Sequence, residues 1–228
     1  MLALAGFDFV IVDMEHGQIS EPEARTVISA CELAGLPCVI RLADAAPGIV
    51  NRLLEAGAVG IQMPKVRTAA DAVRLRSMMH FPPGGVRSIG IANRWAQYGR
   101  LPISQVVEEA NRRSVAIGMF ETREVEEPWD DVMAPLDVVF IGPGDLSIEY
   151  GLPIDHPDLQ AHIARVEETA RRTGTILGRH AAGAEQAAAL AARGYRFIGV
   201  SADTTLLGDA ARVLVEGIHG AAATDKEG

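Results

Sequence analysis

Short, almost uninterrupted apolar runs alternate with longer amphipathic stretches along most of this chain, and that alternation restricts its fold more than any other feature. The runs are 7–12 (FDFVIV), 37–42 (PCVIRL), 59–64 (VGIQMP), 115–120 (VAIGMF), 138–142 (VVFIG), 175–178 (TILG) and 196–200 (RFIGV). A strand with one face in water shows apolar–polar alternation. A run without it belongs to a strand covered on both faces, as in a parallel sheet layered by helices. The segments 21–35, 47–57, 68–80, 102–113, 158–173, 183–193 and 204–218 read as the covering helices. Ser20-Glu21-Pro22-Glu23 carries a start signal for the first, and Gly35, Gly57, Gly174 and Gly194 carry stop signals for others.

Strand–helix units repeated without a break in composition imply a single α/β domain over 1–220, followed by a frayed, disordered tail at 221–228. A closed (β/α)8 barrel needs eight strands, and seven are counted. The opening MLALAG reads as the last turn of a helix entering the first strand. A barrel here therefore lacks its first β-strand at the N-terminus; an open, doubly wound sheet is the alternative.

At 228 residues, 48% hydrophobic and 22% charged, the chain has globular composition and is long enough to build its core without disulfides or structural zinc. A net charge of -9 argues against nucleic acid or an anionic membrane as partner, but leaves a small anionic substrate open. Cys31 and Cys38 lie in apolar surroundings at a spacing that fits neither a redox pair nor a zinc knuckle, so they are expected as buried free thiols. No run of about 18 apolar residues and no basic signal head occurs, and a cytoplasmic setting is expected.

In either architecture ligands bind beyond the carboxyl ends of parallel strands. Those ends carry Asp13-Met14-Glu15-His16, Arg41, Pro64-Lys65, Glu121-Thr122-Arg123, Gly142-Pro143-Gly144-Asp145, His180, and Ser201 with Asp203. The strand starts are mostly apolar or glycine. Glu121 and Asp145 follow successive strands, so their carboxylates can converge about 5 Å apart and offer hard oxygen donors to Mg2+, Mn2+ or Co2+. Alternatively, Glu121 pairs with Arg123 or Arg41 while Asp145 caps its turn.

His16, three residues after Asp13, fits an imidazole oriented by a carboxylate for acid–base work, or a hydrogen-bonded loop histidine. Arg41 ends a buried strand and must meet a carboxylate, either a structural partner or a substrate. The Gly-Pro-Gly turn at 142–144 can offer backbone N–H groups to an anion. His80, His156, His162 and His219 read as surface residues, and His180 as a candidate for the pocket wall. Lys65 is the one lysine placed for Schiff-base chemistry, so a metal route is the better fit to carbonyl chemistry.

The segments GFDFVIVDMEHG, VIRL, MPKV, FPPGGVRSIG, FETRE, FIGPGDLS and SADTTLL, in this order between Gly6 and Leu214, resemble the HpcH/HpaI aldolase and citrate lyase family, above all its metal-dependent pyruvate aldolases. The resemblance implies a TIM barrel and reversible aldol cleavage of a 4-hydroxy-2-oxo acid into pyruvate and an aldehyde. It further implies Glu121 and Asp145 as ligands of a divalent metal, Arg41 as the pyruvate-binding arginine, and His16 with Asp13 as an acid–base dyad. By the same resemblance the backbone amides of Gly144 and Asp145 bind the pyruvate carboxylate, and Glu55 falls near an acidic position that joins the site. Relatives assemble as homo-oligomers, usually hexamers, by exchanging C-terminal helices. Met119 stands where such enzymes often have glutamine. The rival readings are a lyase of the citrate lyase β-subunit or malyl-CoA type, and a catalytically silent barrel used as a scaffold.

Overall fold

The computed structural model of the chain describes residues 1–224. Seven strands form one all-parallel sheet in which each strand pairs with its sequence neighbour. They are β1 (Val10–Met14), β2 (Cys38–Leu42), β3 (Gly60–Met63), β4 (Val115–Phe120), β5 (Val138–Ile141), β6 (Ile176–Ala181) and β7 (Phe197–Val200). The helices, in chain order, are α1 (Leu2–Ala5), α2 (Glu21–Leu33), α3 (Pro47–Ala56), α4 (Ala69–Met79), α5 (Ile103–Arg113), α6 (Trp129–Met133), α7 (Pro143–Tyr150), α8 (Pro157–Thr173), α9 (Ala184–Ala192) and α10 (Asp203–Thr224).

The sheet curls into a nearly closed TIM-like barrel. Phe9, just before β1, stacks on Phe197 of β7 with ring centroids 4.4 Å apart, so the two edge strands approach each other across the seam. Residues of alternate parity separate into two cores, as the period of a strand requires. Val39, Ile117, Met119, Val138 and Phe140 fill the inside, while Ile40, Ile61, Ala116, Val139 and Ile141 face the helices. On the helical layer, α3 buries Val50, Leu53 and Leu54, each contributing about 1.5–3 kcal/mol of transfer free energy.

Several boundaries differ from the sequence reading. β1 begins at Val10, the residue that registers with Cys38 of β2, so residues 7–9 of the expected run lie outside the ladder and Asp13 lies within it. The Gly-Pro-Gly segment expected as a turn instead starts a helix, α7, with Gly142 as N-cap and Pro143 at its first position. A proline there gives up only an N–H that has no intrahelical acceptor in any case. α10 extends to Thr224, and the rest of the expected tail, 225–228, lies outside the described residues.

Two histidines expected at the surface are buried. His162 shares the α8 stripe of Leu159, Ile163 and Val166, and its Nδ1 lies 2.9 Å from the Tyr150 hydroxyl. His80 is covered because the following turn folds back on it, with the Arg87 N–H donating to the His80 carbonyl at 3.0 Å. Cys31 and Cys38 are buried free thiols, as expected. Among the described residues no helix is long and apolar enough to cross a membrane.

Candidate active site

Inside the barrel, the residues of the register Asp13–Arg41–Gln62–Ile117 sit side by side on β1, β2, β3 and β4. Ile117 belongs to the inner core, which places Arg41 and Asp13 on the inner face at the carboxyl end. There Arg41 forms a two-pronged pair with Asp13: Nε donates to Oδ1 at 2.9 Å and an Nη donates to Oδ2 at 2.5 Å. The other Nη lies 3.5 Å from a Glu15 carboxylate oxygen. Burial works against the Arg41 charge, but Asp13, Glu15 and Glu121 outweigh it and hold the guanidinium firmly protonated. Partial burial likewise pushes the Asp13 carboxyl up. The guanidinium and the N–H groups of Glu15 and His16 win, and its pKa lies below the usual carboxylate range.

In this geometry Asp13 is engaged by Arg41 and by backbone N–H groups, and not by the His16 imidazole. Asp13 Oδ1 accepts from the backbone N–H of Glu15 at 3.0 Å and of His16 at 3.2 Å, so the carboxylate shapes the loop and leaves the imidazole to another partner. The His16 ring is 69% exposed and lies 3.7 Å from Glu15 Oε2. The physical reason is the register: Asp13 is the direct partner of Arg41, and a forked cation one strand away competes better for both oxygens than a ring on a turn. Gly17 holds that turn tight, because a Cβ there would sit 2.2 Å from the Asp13 carbonyl oxygen.

Glu121 follows β4 and is 3% exposed. One of its oxygens accepts the Lys65 N–H at 2.9 Å, which the Lys65 backbone presents from a left-handed conformation at φ 51°. Burial, reinforced by the negative charges of Asp145 and Glu15, overrides that hydrogen bond and Arg41 and pushes the Glu121 carboxyl up to about 7. Neither Arg123 nor Arg41 pairs with it, contrary to the structural alternative. Gly142 lies against it so closely that a Cβ would fall 2.7 Å from the second oxygen, Oε2. Asp145 is exposed on the first turn of α7, near enough for its charge to act on Glu121. Gly144 and Asp145 occupy the second and third helical positions, whose N–H groups have no intrahelical acceptor and point to where an anion is favoured.

The fit to a divalent cation rests on this donor set. Two hard carboxylates lie at adjacent strand ends, one of them buried and strained by like charge, with glycine keeping a space open at its free oxygen. Among the described residues no three His, Cys, Asp or Glu side chains converge into an all-protein ligand set. A cation here would therefore complete its shell with substrate or water, as Mg2+-type sites do.

Glu55 does not reach the rim within this chain. It lies in the last turn of α3, which runs back toward the amino ends of the strands, and it accepts the Gly90 N–H at 3.1 Å. There it faces a cleft shared with Val59, Arg87, Trp95, Arg113 and Ser114. Lys65 uses its backbone rather than its side chain, which is exposed. His180 lies on β6 beside Gly199 of β7, an exposed position in keeping with a wall. Glu15 and Gln62 were not singled out from sequence. Glu15 stands between Arg41, His16 and Glu121, and its place beside His16 in DMEH is the signal that could have found it. Gln62 is 2% exposed with its Oε1 unpartnered, a polar residue inside an apolar run.

The sequence profile of the HpcH/HpaI aldolase/citrate lyase family matches residues 1–210. The chain is 32% identical over 220 residues to a hydroxypyruvate/pyruvate aldolase of Rhizorhabdus wittichii, covering 94% of this chain and 86% of that protein. It is 31% identical over 219 residues to a 4-hydroxy-2-oxo-heptane-1,7-dioate aldolase of Klebsiella pneumoniae, covering 94% and 82%. Among solved structures, an HpcH/HpaI aldolase/citrate lyase family protein of Burkholderia cenocepacia superposes with a TM-score of 0.86 at 30% identity, covering 96% of this chain and 88% of that one. An HpcH/HpaI aldolase of Desulfitobacterium hafniense superposes with a TM-score of 0.88 at 27% identity, covering 95% and 85%.

Proposed function

The chain belongs to the HpcH/HpaI aldolase/citrate lyase family, and from that premise we propose that it is a carbon–carbon lyase cleaving a 4-hydroxy-2-oxo acid reversibly into pyruvate and an aldehyde. The observation that carries this reading is the buried Glu121 carboxylate beside Asp145, one strand from the Gly144–Asp145 amides and across the rim from Arg41.

The Gly144 and Asp145 N–H groups hold the substrate carboxylate. As the C3–C4 bond breaks, its electron pair moves toward C2 and charge builds on the 2-oxo oxygen. Arg41, held in place by Asp13, supplies fixed positive charge to that oxygen. His16 takes the C4-hydroxyl proton as the aldehyde forms, the pyruvate enolate takes a proton at C3 to become pyruvate, and the reverse direction retraces these transfers, with Glu15 beside the His16 imidazole. Glu121 and Asp145 are the ligands for a divalent cation of the Mg2+, Mn2+ or Co2+ class, which when bound supplies Lewis-acid polarisation of the 2-oxo group.

EDTA treatment is expected to abolish cleavage, and Mn2+ or Co2+ to restore it; full turnover in EDTA overturns the cation's role. Arg41→Lys is expected to lower kcat by at least about 100-fold, because an ammonium cannot hold Asp13 through a fork and face the substrate together. A malyl-CoA-type lyase is separated by assaying malyl-CoA against a hydroxy-oxo acid.

The unpaired thiols Cys31 and Cys38 fit a reducing compartment, the cytoplasm. The exposed apolar residues of α10, with Leu207 73% and Leu214 66% exposed, support a homo-oligomer, of which the family resemblance makes a hexamer the expected form.

A further inference from the structure

Glu149 lies on α7 one turn after Asp145, so the two carboxylates share a face of that helix. Its position does not arise from the catalytic reading, yet its contacts converge on the loops that reading needs. One Glu149 oxygen lies 3.3 Å from an Nη of Arg67, in the loop after β3, two residues beyond the Lys65 N–H that binds Glu121. The other accepts the backbone N–H of Arg123 at 2.7 Å, two residues beyond Glu121 itself. The Arg123 guanidinium then lies over the Tyr150 ring, 5.1 Å from its centroid, so Arg123 is gripped by two consecutive residues of α7. The same two loops are joined independently by the Glu126 N–H on the Arg67 carbonyl at 2.8 Å.

We propose that Glu149 is a positioning residue whose carboxylate sets the separation of Glu121 and Asp145 by tying the loops after β3 and β4 to helix α7. This inference rests on the aldolase reading above for its purpose, but not for its geometry. Removing the carboxylate frees the Arg123 N–H and with it the Glu121 segment two residues earlier, so the Lys65 N–H that donates to Glu121 loses a fixed acceptor. The two candidate ligands then lose their fixed spacing while the barrel core is untouched. Of the two contacts the amide hydrogen bond dominates, because the Arg67 side chain is 51% exposed and a solvated ion pair contributes little.

The test uses the full chain with Glu149→Ala, Glu149→Gln and Arg67→Ala, read by Mn2+ titration without substrate, by amide hydrogen exchange and by Tm. Glu149→Ala is expected to weaken Mn2+ binding about tenfold. It should also lower protection at the Lys65 and Arg123 amides, leaving that of the β-strands unchanged. Glu149→Gln, which still accepts the Arg123 N–H, should recover affinity to within about threefold, and Arg67→Ala should cost no more than about threefold. Wild-type Mn2+ affinity in Glu149→Ala overturns the proposal. So does unchanged protection at Lys65 and Arg123, or a general loss of strand protection with a fall in Tm shared by both Glu149 variants. If the unmodified chain neither binds Mn2+ nor cleaves substrate, the aldolase reading fails, and the positioning claim is decided by the exchange data alone.

Discussion

Gly142 shows how tightly single residues control this site. Its φ of -102° is open to any residue, so the requirement for glycine is one of space: a methyl group there meets Glu121 Cβ at 2.6 Å and Oε2 at 2.7 Å. Gly142→Ala is therefore expected to displace the Glu121 carboxylate and cut kcat by about 100-fold or more, with a stability loss of only about 1–3 kcal/mol in urea denaturation. Glu121 itself makes stability depend on pH. Its carboxyl is raised to about 7 in the folded chain from an ordinary 4.5, so the folded state holds the extra proton between these values. Stability from this group is present at low pH and is lost as pH rises through 7, by up to about 3 kcal/mol in metal-free protein. Glu121→Gln should remove that slope, as read from urea midpoints between pH 5 and 8. An unchanged slope would place the titration elsewhere.

At the scale of elements, the loops at the carboxyl ends carry the chemistry while helix caps hold the frame. Ser20 and Glu23 form a capping box at the start of α2, with the Ser20 N–H donating to Glu23 at 2.7 Å, just after the turn that carries His16. Ser20→Ala is expected to cost about 0.5–2 kcal/mol of stability, measured by urea unfolding, since α2 buries Ala24, Ile28 and Cys31 behind β1 and β2. Most elements were legible in the sequence because buried parallel strands and amphipathic helices leave opposite periodicities. The short helices α6 and α7 were not. A five-residue helix has too few turns to show a stripe, and Gly-Pro-Gly reads as a turn unless the proline is placed at a helix start.

At the scale of the whole molecule, α10 exposes Leu206, Leu207, Val213, Leu214, Val215 and Ile218 along a 22-residue helix. That is more apolar surface than an isolated helix usually leaves in water, and it matches the proposed self-association. Leu207→Glu combined with Leu214→Glu is expected to shift sedimentation velocity profiles to a smaller species; an unchanged sedimentation coefficient would remove α10 from the interface.

The residue order alone determined the α/β class, the seven strands and the rim on which Asp13, Arg41, Glu121 and Asp145 would fall, because burial on both faces and strand-end placement are local patterns. Which groups pair was decided in three dimensions. Register put Asp13 opposite Arg41 rather than beside His16, helix direction carried Glu55 to the far end, and close loop packing gave Glu121 its raised carboxyl and Glu149 its two partners. Partner choice among charged side chains depends on distances of a few ångströms between segments distant in sequence, and no periodicity encodes those.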